Sequence, residues 1–282
     1  VQGLSRRITP DILAVVAAAA ALAIAMVWFL SRVLITGTDW VIFYNAARHL
    51  LSGQSPFVDR QYANPPWALL PVLPFALLPM PVGRAAWLVF SFAIFAWVAY
   101  RAGARPLAMG LFLASPLTVG CLLTGNMDWV SLLGFMLPPQ IGLPIVLIKP
   151  HIGIAMAVYW IIGAFRQGRL KQVIRLVYPT VLIYLASFLV YGLWLTNSLS
   201  ILDDSHGRWN ISLWPYSIPI GLALLVIGIA RRQAEWTWGA SPLLSPYASF
   251  NVFNGLPLAI VKKPWLLGPL VAVMWFAVWL IR

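Results

Sequence analysis

Acidic residues are scarce in this chain: seven Asp and Glu stand against 19 Lys and Arg in 282 residues. Charged residues of both signs amount to only 9%, where a soluble domain carries about 25%. Cysteine occurs once, at Cys121, which excludes an intrachain disulfide and a thiolate metal cluster. There is no Gly-rich phosphate loop, no HExxH, no GxSxG and no CxxC. Heptads and internal repeats are absent too, and the alanine run 17–21 is ordinary filler of an apolar span. Apolar sequence fills the space instead: 61% of residues are hydrophobic and mean hydropathy is +0.86. That balance describes an integral membrane protein. A net charge of +12 would suggest nucleic acid in a soluble protein. Here the basic residues fall in gaps between apolar runs, where they set orientation, and no nucleic-acid partner is expected.

The 15 Trp suit the membrane–water interface and are expected near span ends. Ile12–Ile35 reads as a first span, preceded by Arg6 and Arg7, which place the N-terminus in the cytoplasm. It is too long for a signal-peptide core and is read as retained. Asp39 then emerges on the far side. Trp40, Phe43, Tyr44, Ala47, Leu50 and Leu51 recur at helical spacing, with Asn45, Arg48, His49 and Ser52 opposite. The pattern predicts an amphipathic interfacial helix, capped by Thr38 and ended by Gly53. A second interfacial or re-entrant helix is expected in the Pro-rich stretch up to Pro81.

Further spans are predicted over Ala85–Tyr100, Pro106–Leu123, Ile152–Phe165, Leu176–Leu195, Pro215–Ala230, Trp238–Pro246, Phe250–Val261 and Trp265–Ile281. Trp129–Leu137 and Ile141–Ile148 are too short to cross alone; broken helices of this kind line cavities. The fold class expected is all-α: a polytopic transmembrane bundle of about nine or ten crossings, one domain over residues 1–282. Interfacial helices follow the first span in an outer segment, 36–82, and a second outer loop covers 197–214. The arrangement leaves Asp39, Asp59, Asp128, Asp203 and Asp204 outside, while basic loops at Arg101, Arg166 to Arg175, Arg231-Arg232 and Lys262-Lys263 lie inside.

The polar residues have two readings each. Asp39 is either a carboxylate favoured by a helix dipole or a general base in an outward cavity. Arg48, Arg60 and Arg84 either touch lipid head groups or recognise a phosphate, for which the guanidinium fork is suited. Lys149, beside a helix-breaking Pro150, either snorkels or serves a site facing water. Asn126 and Asp128 form a polar turn between spans or part of the site. Asp203, Asp204 and His206 are too few for a convincing metal centre. His49 and His151 have no evident partner in the sequence. No metal and no cofactor are expected.

The order of short motifs carries one more piece of information. After the first span comes the Asp, then FYNAARHLLSGQSPF, YANPPWALLPVLPFALLP, GNMDW and IKPHIGI, over roughly residues 30–155, with SPYASF later. This series resembles the membrane glycosyltransferases of the C-type fold, in particular the bacterial polyprenol-phosphate-mannose-dependent mannosyltransferases that include the phosphatidylinositol mannoside-extending branch. The resemblance implies an inverting enzyme at the outer face of the bacterial inner membrane. Its substrates would be a polyprenyl-phosphate sugar donor, mannose by preference, and a lipid or glycan acceptor. By position, Asp39 would be the catalytic base. Arg48, Arg60, Tyr62, Asn126, Asp128 and Lys149 would bind donor phosphate or substrate, and Pro65 and Pro66 also fall on family positions. The chain is shorter than that branch, and GNMD stands where relatives often carry Gly-Gln and a following Asn. A second reading therefore stands beside the first: a non-catalytic membrane subunit or scaffold that binds lipid or a partner membrane complex. A transporter is a third, without an inverted repeat to support it.

Overall fold

The computed structural model describes residues 10–59, 61–196, 198–199 and 210–281. Among these every regular element is helical. Arg6, Arg7, Arg60, Asp203, Asp204 and His206 lie outside the described residues.

The first helix, α1 (Pro10–Val33), is apolar from Ile12 to Leu30, and none of its span window is buried. Val15, Leu22, Ile24 and Trp28 are all more than half exposed. A helix apolar on every side is at rest only in lipid, so α1 has the character of a membrane span. It packs on α4 (Met80–Arg101), the second long apolar helix.

Between them lies α2 (Thr38–Leu51), the amphipathic helix expected from the spacing. Its buried face is Trp40, Phe43, Ala46 and Ala47, while Arg48 is exposed. Thr38 does not cap it; Gly37 holds the N-cap position, without a side-chain hydrogen bond. Gly53 does end it, with φ 75, a region favourable to glycine. Among the described residues neither a second interfacial nor a re-entrant helix longer than a single turn lies between α2 and α4. Residues 54–79 form a 3₁₀ turn (Pro66–Leu69) and a single helical turn, α3 (Leu73–Ala76). Prolines every few residues remove the backbone donors that a longer helix needs.

Proline also starts three of the next four helices, α5, α6 and α8. Helices α5 (Pro106–Leu113) and α6 (Pro116–Thr124) bend by 53° at Ser115-Pro116, where Ser115 caps α6 through the Thr118 N–H. Helices α7 (Asp128–Phe135) and α8 (Pro139–Val146) are each about 12 Å long at 1.5 Å per residue, less than half a hydrocarbon thickness.

The longest element, α9 (Pro150–Tyr191), is two helices joined at a break. Gly168 and Arg169 leave helical geometry, and Arg169 has φ 50 and ψ −143. A straight helix would put Tyr184 roughly 50 Å from its start. Instead the Tyr184 hydroxyl reaches the carbonyl of Leu147, 3.5 Å away. The chain doubles back, as the basic run from Arg166 to Arg175 between two apolar stretches predicts.

Helix α10 (Ile218–Arg231) is next, then only short pieces: a 3₁₀ turn (Ala234–Thr237), α11 (Ser241–Leu244), a second 3₁₀ turn (Phe250–Asn254) and α12 (Gly255–Ala259). The spans expected at Trp238–Pro246 and Phe250–Val261 are thus replaced by stacked turns, interrupted at Pro242, Pro246 and Pro257. The described chain ends in α13 (Pro264–Ile281), which returns to pack on α5. Among the described residues three helices are long and apolar enough to cross a membrane, or four with α5 and α6 taken as one bent span.

Helix direction sorts the loops into two ends. Met80, Thr124, Lys149 and Tyr191 belong to the end that carries Asp39. The turns at Arg101–Arg105, Arg166–Arg175, Arg231–Glu235 and Lys262-Lys263 meet at the other: the Lys262 side chain runs past Gly103 and pairs with Glu235, and Arg166 donates to the Ile229 carbonyl.

Candidate functional site

The site begins with two helix ends brought together by glycine. A Cβ on Gly37 would collide with the carbonyl oxygen of Thr124, and one on Gly125 would lie 2.7 Å from Cβ of Trp40. Gly125 also closes α6 in the left-handed region, with φ 77. With glycine at both points, the C-terminus of α6 rests against the N-terminus of α2. Opposite ends of two helix dipoles then face each other, a favourable arrangement.

Helix α4 fastens this junction. The Arg84 guanidinium donates through Nη2 to the carbonyls of Leu122 and Leu123, at 2.6 and 2.7 Å. Trp87 donates through Nε1 to Gly125, at 3.0 Å. These are last-turn carbonyls of α6 and its cap, which lack helical partners. Arg84 is 1% exposed. The head-group reading of Arg84 is therefore corrected: its charge is spent on a helix end inside the protein. Trp40, Trp87 and Trp129 wall the junction with tilted rings 5.2 to 5.7 Å apart.

Asn126, one residue past the cap, links the polar groups. Its Nδ2 donates to Oδ2 of Asp39 at 2.9 Å. Its Oδ1 accepts from the backbone N–H of Met127 at 2.6 Å and from Nζ of Lys149 at 2.5 Å. A carboxylate requires a donor and an ammonium an acceptor, so the amide can stand only one way round. Lys149 in turn forms an ion pair with Oδ1 of Asp128. Asp39 is half-buried, Asp128 fully buried and Lys149 7% exposed. The result is one hydrogen-bonded series, Asp39–Asn126–Lys149–Asp128, running from the edge of the protein into its interior. Two carboxylates, one ammonium and the Arg84 guanidinium balance in charge.

Four of the residues expected from the sequence are thus in direct sequence of contact, from segments 87 and 23 residues apart. The Lys149 ammonium donates to Asn126 and Asp128, and 9% of its side chain is exposed. Arg48 sits exposed in the last turn of α2, about 13 Å along the helix from Asp39. Tyr62 is fully buried, and its hydroxyl donates to Pro65 at 2.8 Å, pinning the Pro-rich turn. Burial pushes its phenol well above the usual range. It faces Phe43 and Phe57, not the carboxylates. His49 meets Gln54 at 2.8 Å, and His151 stands edge-on to Tyr247. No group of three or more His, Cys, Asp or Glu able to hold a metal occurs among the described residues.

Sequence reasoning missed Trp87, Gly37 and Gly125, and it misplaced Arg84. A charge four residues inside an apolar helix was the available signal for Arg84, since such charges are costly unless they have buried partners.

No family model, curated protein or solved structure matches this chain.

Proposed function

We propose that the chain is an inverting glycosyltransferase of the membrane, moving a sugar, mannose by preference, from a polyprenyl-phosphate donor to a lipid or glycan acceptor. In this reading α1, α4, the bent pair α5–α6, the two arms of α9, α10 and α13 make about seven crossings instead of the nine or ten expected from the sequence, α7–α8 returns to the side it leaves, and the end carrying Asp39 faces outward. The observation that carries the reading is the half-exposed Asp39 carboxylate, held by Asn126, whose own amide is fixed by a buried ammonium.

The chemistry follows from that geometry. Asp39 accepts the proton of the acceptor hydroxyl. The acceptor oxygen bonds to the anomeric carbon as the bond to phosphate breaks, and polyprenyl phosphate leaves. One bond forms on the face opposite the one that breaks, so the configuration inverts. A base already oriented loses no time to rotation, and small displacements of such groups are costly. Asn126 and Lys149 act as positioning residues: they set the carboxylate through hydrogen bonds and need not touch the sugar. Arg48 and Arg60 would meet the donor phosphate from the surrounding outer segment.

The test is turnover by the purified chain with a polyprenyl-phosphate-mannose donor and candidate lipid acceptors. Asp39→Asn keeps the shape and removes basicity, and the rate should fall by ~100-fold or more, as general bases typically contribute about 10²–10⁴-fold. Asn126→Ala should lower kcat with little change in KM. Wild-type turnover in Asp39→Asn removes Asp39 as the base, and no turnover by the unaltered chain favours a non-catalytic lipid-binding subunit instead.

A further inference from the structure

The end of the molecule opposite Asp39 holds a second feature, a cavity of about 520 Å³ between α10, the 3₁₀ turn Ala234–Thr237 and the segment leading into α13. Its composition is divided. Leu224, Leu256 and Ile260 make an apolar wall, and Arg231, Lys262 and Lys263 stand around it with Trp236. The Arg231 guanidinium lies over the Trp236 ring, 5.7 Å from its centroid. The one acid lining it, Glu235, pairs with Lys262 at 2.9 Å. Subtracting that pair leaves Arg231 and Lys263 as a net excess of positive charge.

Position adds a second argument. Trp236 is 37% exposed and Trp265, next to the basic pair, is 70% exposed. Exposed tryptophans at the ends of apolar helices mark head-group level. The cavity therefore has its charges where phosphates lie and its apolar wall where acyl chains begin. Arg232, the next residue, takes a left-handed turn (φ 55) and lines a different cavity with Arg166. Arg231 is thereby committed to this one.

We propose that this cavity binds the head group of an anionic phospholipid. The phosphodiester sits between Arg231 and Lys263, the glycerol against Trp236, and the first methylenes on Leu224, Leu256 and Ile260. Basic pockets between membrane helices recognise anionic head groups in this way. The inference rests on the cavity and its charges, and holds whatever reaction occurs at Asp39.

The experiment is lipid titration of the purified full chain in mild detergent, read by native mass spectrometry. Phosphatidylglycerol should bind at least tenfold more tightly than phosphatidylcholine. The double variant Arg231→Gln, Lys263→Gln should lose at least tenfold for phosphatidylglycerol, with circular dichroism and lipid-free unfolding unchanged, since both side chains are exposed. Lys263→Glu alone should weaken binding more than Lys263→Gln. The control Arg101→Gln, Arg105→Gln removes two exposed charges from the same end and should cost less than twofold. Equal affinity for the two lipids, an unaffected double variant, or equal loss in the control overturns the proposal. So does soluble glycerol phosphate binding as tightly as the lipid, which would make the cavity a site for free phosphate esters.

Discussion

Removing Lys149 should unfold the protein more than it disturbs any chemistry, and a second substitution should repair the damage. Asp128 is 0% exposed, and its one bonded oxygen is held by Lys149 alone. Its other oxygen has no hydrogen-bond partner among the described residues. Lys149→Met therefore strands a carboxylate in an apolar interior beside Trp129. Breaking a buried pair this way costs about 3–5 kcal/mol, whereas replacing both members by apolar residues is often neutral or stabilising. Lys149→Met and Asp128→Leu should each lose roughly that amount. The double variant should recover to within about 1 kcal/mol, because the coupling is lost only once. The position of Asp128 in the first turn of α7 tempers its own cost slightly, as the dipole there favours an anion. The assay is unfolding in mixed micelles of mild detergent and SDS, followed by circular dichroism for all four members of the cycle. Singles within about 1 kcal/mol of the unaltered chain, or a double variant as unstable as the sum of the singles, would refute the buried-pair argument. Turnover in the recovered double variant then separates folding from chemistry, since Asn126 has lost its ammonium in a protein that still folds.

Arg169 holds a backbone conformation, φ 50 and ψ −143, that suits glycine. Strain of this type costs about 1–3 kcal/mol, so Arg169→Gly should raise the SDS midpoint; a lower midpoint would count against the tight turn in α9. Burial pushes the Glu235 carboxyl up, but the hydrogen bond and charge of Lys262 outweigh it, aided by a backbone hydrogen bond, and hold it below the usual carboxylate range. Its contribution to stability should be complete above that range and lost as pH falls through the lowered value; Lys262→Met should flatten stability against pH there, and an unchanged profile would dismiss the pair. With the orientation proposed above, a reporter active only outside the cytoplasm should work when fused at Gln54 and be silent at Gln167 and Gln233, and activity at Gln233 would break the two-ended arrangement of loops.

The sequence made individual residues conspicuous more readily than it made their meetings visible. Asp39, Asn126, Asp128 and Lys149 stand out because each interrupts apolar sequence. Nothing in their spacing says that an amide on one loop bridges a carboxylate and an ammonium from two others. That junction depends on two glycines whose missing Cβ atoms let helix ends touch, and a glycine in a loop reads the same wherever it leads. Helix α2 was legible because its apolar residues recur at 3.6 and a glycine follows. The reversal inside α9 was legible because a basic run splits two apolar stretches. Residues 54–79 and 238–261 were not. Their hydropathy resembles that of a span, and proline density alone does not say whether a helix bends or dissolves into turns. Arg84 misled because a charge near a span end looks the same whether it reaches water or caps a neighbouring helix.

The hydrogen-bonded series from Asp39 to Asp128 also sets a schedule for biosynthesis. At about 5–20 residues per second, Asn126, 87 residues further on, leaves the ribosome roughly 4–17 s after Asp39. Through that interval the Asp39 carboxylate waits without its amide, at the edge of the protein where water can serve it. Asp128 has no such refuge, since its final place is dry. It precedes Lys149 by 21 residues, a delay of roughly 1–4 s at the same rate. The two charges that must end up buried are made almost together and can enter the interior as a neutral pair. The one that can stay wet is made first.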